Sequence, residues 1–354
     1  MATISLGLQH SHALHAHVLE RLFDVIQLEG LDDGFNFLHG DPGAAHGMQR
    51  RSGANGTQQG RSKQAIFASW RRIIGTRMIE TNDPAIWRNF LPWPSAETHK
   101  HTRGRLAVVS GKAHHTGAAR LAAHAGLRMG AGVVRILCPP DAASVIAPAV
   151  RAVMLTPFSS PENLGREASG SDAVVIGPAA GLDDATIANI QALGSTGAVL
   201  VIDADGLTVF KGRTAELFAV LDRDDILTPH EGEFERLFPG LLAEGRETAV
   251  QEAARAAQVT IVLKGAQTLI ASPDGRVRRN ENGSPWLATA GTGDVLAGMI
   301  GGLAAQRMDS FDAACAAVWL HSDAAHTFGP GLTSDDLPDC LPKVLSKMRN
   351  SALD

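Results

Sequence analysis

Residues 288–300 read Ala288-Thr289-Ala290-Gly291-Thr292-Gly293-Asp294-Val295-Leu296-Ala297-Gly298-Met299-Ile300. Small residues and two glycines lead into a carboxylate, and an apolar, helix-compatible run follows at once. Such a turn lets backbone N–H groups converge at a helix N-terminus, where unpaired donors and the helix dipole suit a phosphate. Asp294 then sits beside the anion site, placed to take a proton from a hydroxyl that attacks the phosphate. Alone, the turn has a plainer reading, with Asp294 as no more than a helix cap. Its company in the chain decides between them.

Upstream of the turn, apolar runs alternate with helical stretches. Arg105–Ser110 reads as a buried strand, Thr116–Met129 as an Ala-rich helix and Gly132–Cys138 as a second strand. Further short runs at Ala173–Ile176, Ala198–Ile202, Asp225–Leu227 and Thr260–Leu263 are separated by helical patterns at Asp183–Leu193, Glu231–Phe238 and Thr248–Ala257. Alternation of this kind predicts an α/β fold with a mostly parallel central sheet flanked by helices on both faces. Thr268–Ala271, a Pro273-Asp274-Gly275 turn and Arg276–Asn280 read as a hairpin at the end of the sheet. Three helices close the chain, at Val295–Gln306, Ser310–Phe328 and Leu337–Met348.

In open α/β sheets ligands bind outside the carboxyl ends of the strands. Chemically useful residues recur at those positions: Gly111 to Ala119 with Lys112 and His114, Gly177-Pro178-Ala179-Ala180-Gly181, Asp203-Ala204-Asp205, Thr228-Pro229-His230 with Glu233, and Lys264 to Thr268. Each has an ordinary explanation as a turn, a cap or a solvated side chain. Six clusters at successive strand ends, counting the Gly-Thr-Gly-Asp turn, favour a site.

Composition narrows the classes. An apolar share of 44 % supports a globular core. An aromatic share of 5 % with no Tyr, and a net charge of −5, argue against a nucleic-acid surface. Cys138, Cys315 and Cys340 are far apart and show no zinc spacing, as fits a reducing cytoplasm. No run approaches the roughly 20 apolar residues of a membrane span, and the N-terminus lacks the pattern of a signal peptide.

The first 85 residues read as a poorly patterned, disordered extension, followed by one domain over 86–350. The extension contains His10, His12, His15 and His17, without Cys or carboxylate partners at ligand spacing, and the polar, glycine-rich stretch 53–63. Its one short apolar run, 18–28, could form an amphipathic helix, and Met78 could serve as an initiator.

From about His99 to Leu345 the chain resembles the ADP- or ATP-dependent NAD(P)H-hydrate dehydratases of the ribokinase-like superfamily. The resemblance is carried by His99-Lys100, Gly117-Ala118-Ala119-Arg120-Leu121-Ala122, Arg128-Met129-Gly130-Ala131-Gly132, Gly177-Pro178, Asp203-Ala204-Asp205, Leu227-Thr228-Pro229-His230, Gly232-Glu233-Phe234, Val262-Leu263-Lys264-Gly265, Leu287-Ala288-Thr289 and Gly291 to Gly298. Gly-Thr-Gly-Asp alone would fit any ribokinase relative. Thr-Pro-His followed by Gly-Glu-Phe is more specific to the dehydratase branch.

The resemblance implies repair of hydrated NADH or NADPH (NADHX, NADPHX; the S form), with ADP or ATP as phosphate donor and Mg²⁺ as cofactor. It implies Asp294 as the base and Gly291, Thr292 and Gly293 as the anion hole. Ala118, Gly181, His230 and Asp294 would face the hydrated dinucleotide. Lys264, Gly265, Ala266, Gln267, Thr268 and Gly293 would contact the nucleotide, and Glu233 and Asn280 would order Mg²⁺ or its waters. A homo-oligomer is expected, with no nucleic-acid or membrane partner.

The chain departs from the family pattern at Ala179-Ala180, where the Gly-Pro-Gly turn is usual, and at His101, Gly111-Lys112 and Ala290. The added methyl groups fall where backbone would approach a ligand. Two rivals remain at this stage. One is a small-molecule kinase of the same superfamily, acting on a hydroxymethylpyrimidine or thiazole alcohol. The other is a catalytically silent nucleotide-binding protein.

Overall fold

The computed structural model describes residues 79–350. The histidine-rich segment 10–17, the run 18–28 and the stretch 53–63 lie outside the described residues.

Ten strands form one sheet among the described residues, in the order β1-β10-β9-β8-β7-β6-β5-β2-β3-β4. They are β1 (Glu80–Thr81), β2 (Arg105–Val109), β3 (Val133–Cys138), β4 (Met154–Pro157), β5 (Ala173–Ile176), β6 (Val199–Ile202), β7 (Ile226–Leu227), β8 (Thr260–Leu263), β9 (Leu269–Ala271) and β10 (Val277–Arg279). From β4 through β8 every neighbouring pair is parallel. β9 is antiparallel to both β8 and β10, so the expected hairpin ends the sheet, and β1 lies parallel to β10 beyond it.

Among the described residues twelve α-helices accompany the sheet: α1 (Pro84–Trp87), α2 (Gly117–Arg128), α3 (Pro140–Ile146), α4 (Pro161–Ala168), α5 (Asp184–Gly194), α6 (Asp205–Thr208), α7 (Thr214–Phe218), α8 (Glu231–Leu237), α9 (Arg246–Ala257), α10 (Thr292–Ala305), α11 (Ser310–Phe328) and α12 (Leu337–Asn350). Successive strand residues point to opposite faces, so the sheet feeds two cores. Leu106, Val108, Ala173 and Val175 join α2, α10, α11 and α12 on one face. Ala107, Val109, Val174 and Ile176 join α4, α5, α8 and α9 on the other.

α10 and α2 meet backbone to backbone. A Cβ on Gly298 would lie 2.1 Å from the Ala122 carbonyl oxygen, so only glycine allows this approach. The contact sets the start of α10, and with it Asp294, against the helix that follows β2.

The chain before β2 also packs against the sheet. Trp87 is fully buried, its Nε1 donates to Asn82 Oδ1 at 3.0 Å, and its ring lies 6.0 Å from that of Trp319.

Candidate active site

Because β2, β5, β6, β7 and β8 are parallel, their carboxyl ends share one edge of the sheet. Chain order reverses at β2, which has β3 on one side and β5 on the other, and a ligand crevice opens at such a switch point. The loops 110–116 and 177–183 flank it.

A charged network joins three of these strand ends. Lys264 Nζ, after β8, donates to Asp203 Oδ1, after β6, at 2.6 Å and lies 3.9 Å from Glu233 Oε2. The three side chains are 19 %, 2 % and 7 % exposed, respectively. Burial opposes the lysine's charge, but the Asp203 and Glu233 carboxylates outweigh it and hold the ammonium above the usual lysine pKa. Burial raises the Glu233 pKa, with Lys264 pulling the other way.

His230 caps α8. Its Nδ1 accepts from Gly232 N at 2.9 Å and Glu233 N at 3.3 Å, while Glu233 Oε2 accepts from His230 N at 2.8 Å. This reciprocal box uses Nδ1 as acceptor, which assigns the ring proton to Nε2, 3.3 Å from Glu233 Oε1. Lys264 and His230 also pair as a parallel bridge, with Lys264 N donating to Pro229 O at 2.8 Å.

The Gly-Thr-Gly-Asp turn closes over this network. Gly291 has φ +89°, a conformation that favours glycine, and a Cβ there would strike Ser334 Oγ and Leu121. Thr292 is buried and donates its hydroxyl to Leu287 O at 2.9 Å and Thr289 O at 3.1 Å, which pins the turn. α10 starts at Thr292, so its first N–H groups have no acceptor one turn back and are available to an anion. A Cβ on Gly293 would lie 3.6 Å from Lys264 Nζ and 3.7 Å from Asp203 Oδ2. Asp294 is next in the chain. Burial, then the nearby Asp203 carboxylate, raises its pKa to about 6 against the pull of Lys264. That value keeps it ionised at neutral pH yet basic enough to take a proton.

Gly265, Ala266 and Gln267 are exposed in the β8–β9 turn, which Thr268 closes by accepting from Gly265 N at 3.3 Å and donating to Gly265 O at 3.1 Å. Arg246 braces the turn from α9, donating to Gln267 O at 2.8 Å and pairing with Glu231 at 3.0 Å. Ala118 lies in the first turn of α2, and Gly181 N donates to Asp205 Oδ2 at 3.0 Å. Asn280 is buried in an amide cluster, bonded to Asn82 at 3.0 Å and Asn282 at 2.7 Å.

Asp203, one of the strand-end residues that the sequence pointed to, is the main partner of Lys264. One residue escaped the sequence reading. His321 is buried in α11, where burial pushes its pKa down to about 4 against a hydrogen bond with the Thr292 backbone. It is a buried, neutral imidazole, and nothing in the helical segment around it announces that state.

A sequence profile described as NAD(P)H-hydrate dehydratase matches residues 106–345. The chain belongs to this family. A bifunctional NAD(P)H-hydrate repair enzyme of Methanopyrus kandleri is 36 % identical over 287 residues, covering 77 % of this chain and 54 % of that protein. The chain thus spans about half the length of the first curated relatives it matches. An ADP-dependent (S)-NAD(P)H-hydrate dehydratase of Neisseria meningitidis is 38 % identical over 238 residues, covering 65 % of this chain and 78 % of that one. Among solved structures, the Bacillus subtilis ADP/ATP-dependent NAD(P)H-hydrate dehydratase co-crystallised with ATP and Mg²⁺ superposes with a TM-score of 0.68 at 30 % identity, covering 76 % of this chain and 99 % of that one. The ribokinase-like fold expected from the motifs is the fold observed.

The departure from the family's Gly-Pro-Gly turn has a visible consequence. Ala179 adopts φ +55°, the left-handed region that glycine occupies without steric cost. The turn holds an alanine in this conformation at the expense of local strain.

Proposed function

We propose that the protein dehydrates the S form of NADHX and NADPHX back to NADH and NADPH, with ADP or ATP as phosphate donor. The observation that carries this reading is the placement of the Asp294 turn against Lys264 and Asp203, at the strand edge that also holds His230. Family membership supports the same substrate class.

In this mechanism the Asp294 carboxylate takes the proton of the ring hydroxyl. The hydroxyl oxygen attacks the terminal phosphorus of the donor, and the bond to the leaving nucleotide breaks, giving AMP from ADP or ADP from ATP. Backbone N–H groups of Gly291 to Gly293 stabilise charge on the transferring phosphoryl group. Phosphate then leaves the ring carbon with its bonding electrons, driven by the ring nitrogen lone pair. Loss of a proton from the neighbouring carbon restores the double bond. The sequence turns hydroxide, a poor leaving group, into phosphate, a good one. Gly265 to Thr268 would contact the nucleotide, and Ala118, Gly181 and His230 the hydrated dinucleotide.

Among the described residues no group of three or more His, Cys, Asp or Glu is arranged to hold a metal. Glu233 Oε2 is engaged by the His230 N–H. These donors fit a Mg²⁺ that arrives on the donor's phosphates and keeps most of its waters, with Glu233 reaching one of them. Bound there, Mg²⁺ would offset the negative charge on the phosphate oxygens.

ADP is the preferred donor in this reading, by likeness to the Neisseria relative. A cytoplasmic homo-oligomer is proposed, in line with three free cysteines. Among the described residues no helix is long and apolar enough to cross a membrane.

The test is incubation with hydrated NADH or NADPH, Mg²⁺ and ADP or ATP, following the absorbance of the reduced nicotinamide. Recovery by the wild type and its loss in Asp294→Ala support the reading. Phosphorylation of a pyrimidine or thiazole alcohol without recovery replaces it with the kinase.

A further inference from the structure

A cavity of about 530 Å³ shares a wall with the catalytic turn. It begins at Gly117, beside Ala118, and follows the solvent side of α2 to Arg128, about 16 Å by helical rise. Its volume falls in the ordinary range for a small-molecule site. Leu121 stands between the cavity and the turn, since a Cβ on Gly291 would lie 2.9 Å from Leu121 Cδ1. On the other side, Ser334 packs against Gly291, and the next residue, Asp335, lines the cavity.

The wall is cationic. Arg120, Arg128 and Arg151 line it, against Asp335 as the only carboxylate among the described residues that do. Arg128 is committed to Asp339 at 2.6 Å, and His124 lies 3.6 Å from the same carboxylate. Arg120 and Arg151 are exposed, and among the described residues no carboxylate pairs with either. Leu121 and Val150 supply apolar surface between the charges. Two uncommitted guanidiniums beside an apolar strip suit a planar base bearing phosphate, because the guanidinium fork matches phosphate geometry.

We propose that this groove binds the ADP half of the hydrated dinucleotide, with Arg120 and Arg151 holding its phosphate. The inference rests on the dehydratase reading above and extends it. The hydrated ring at Asp294 and the groove along α2 are then two ends of one substrate site, joined past Ala118. The phosphate is either the diphosphate, common to both substrates, or the 2′-phosphate of NADPHX.

The experiment compares wild type, Arg120→Ala/Arg151→Ala and Arg120→Lys/Arg151→Lys with hydrated NADH and hydrated NADPH at saturating ADP and Mg²⁺, with thermal melts and sizing of each protein. The alanine variant should fold as the wild type does, raise KM about tenfold and keep kcat within about twofold. The lysine variant should recover most of that loss. A rise with both substrates assigns the diphosphate, and a rise with hydrated NADPH alone assigns the 2′-phosphate. Unchanged KM for both, with wild-type turnover intact, overturns the groove and leaves the dehydratase standing. So does a change of oligomeric state with KM unaltered, which would make the groove a contact between copies. A wild type that restores no reduced nicotinamide with either donor removes the parent reading and this inference together.

Discussion

Lys264 Nζ donates to Asp203 Oδ1 across 2.6 Å, joining two strand ends that are 61 residues apart in the chain. The Asp203 side chain is 2 % exposed, so the ammonium is what makes a carboxylate tolerable there. The same ammonium restrains the rise in the Asp294 pKa.

Lys264→Met should therefore act twice. Breaking a buried pair on one side typically costs about 3–5 kcal/mol, and urea unfolding at neutral pH should show a loss of that order. The acid limb of kcat against pH should also move above about 6, the value Asp294 has with the lysine present. An unmoved limb in a folded variant would separate Lys264 from Asp294 electrostatically.

Asp294 trades stability for basicity. Its pKa is raised from 3.8 to about 6, so its favourable contribution is complete below about 3.8 and is lost as pH rises through about 6. Asp294→Asn carries no such charge. It should lose at least about a thousandfold in kcat while unfolding at pH 7 with about 1–2 kcal/mol more stability, a difference that vanishes near pH 4. Equal melts of the two proteins at pH 7 would contradict the cause assigned to the shift.

Ala179 sits at φ +55°, where a side chain is strained. Ala179→Gly should relieve about 1 kcal/mol and raise Tm by a few degrees, with turnover retained. A fall in Tm would show that the turn's shape does not govern that position.

Gly298→Val puts branched atoms where even a Cβ would lie 2.1 Å from the Ala122 carbonyl oxygen. Overpacking at such a contact costs about 1–3 kcal/mol or more, and displacement of α10 should lower kcat along with Tm. Wild-type kcat in this variant would free the turn from dependence on the helix contact.

The interior strands were readable because they are short apolar runs buried on both faces: Ala173–Ile176 has all four residues buried, and the expected and observed bounds coincide. β4, Met154–Pro157, was not readable, since it is an edge strand with no buried residue. α3 and α4 each open with Pro in the first turn and are short, so their punctuation resembled loop. Glu80–Thr81 has no pattern at all and becomes a strand only by pairing with Arg278 and Arg279. In the site, the Gly-Thr-Gly-Asp turn and the strand-end residues were local signals. The Asp203–Lys264 pair and the burial of His321 are products of tertiary packing that no local spacing encodes.

The main-chain contact between Gly298 and Ala122 leaves no side chain between the two helices to shrink, swell or rotate. Helices α2 and α10 are welded into one chassis, so adaptation to a different ligand has to be written in the loops that rim the sheet.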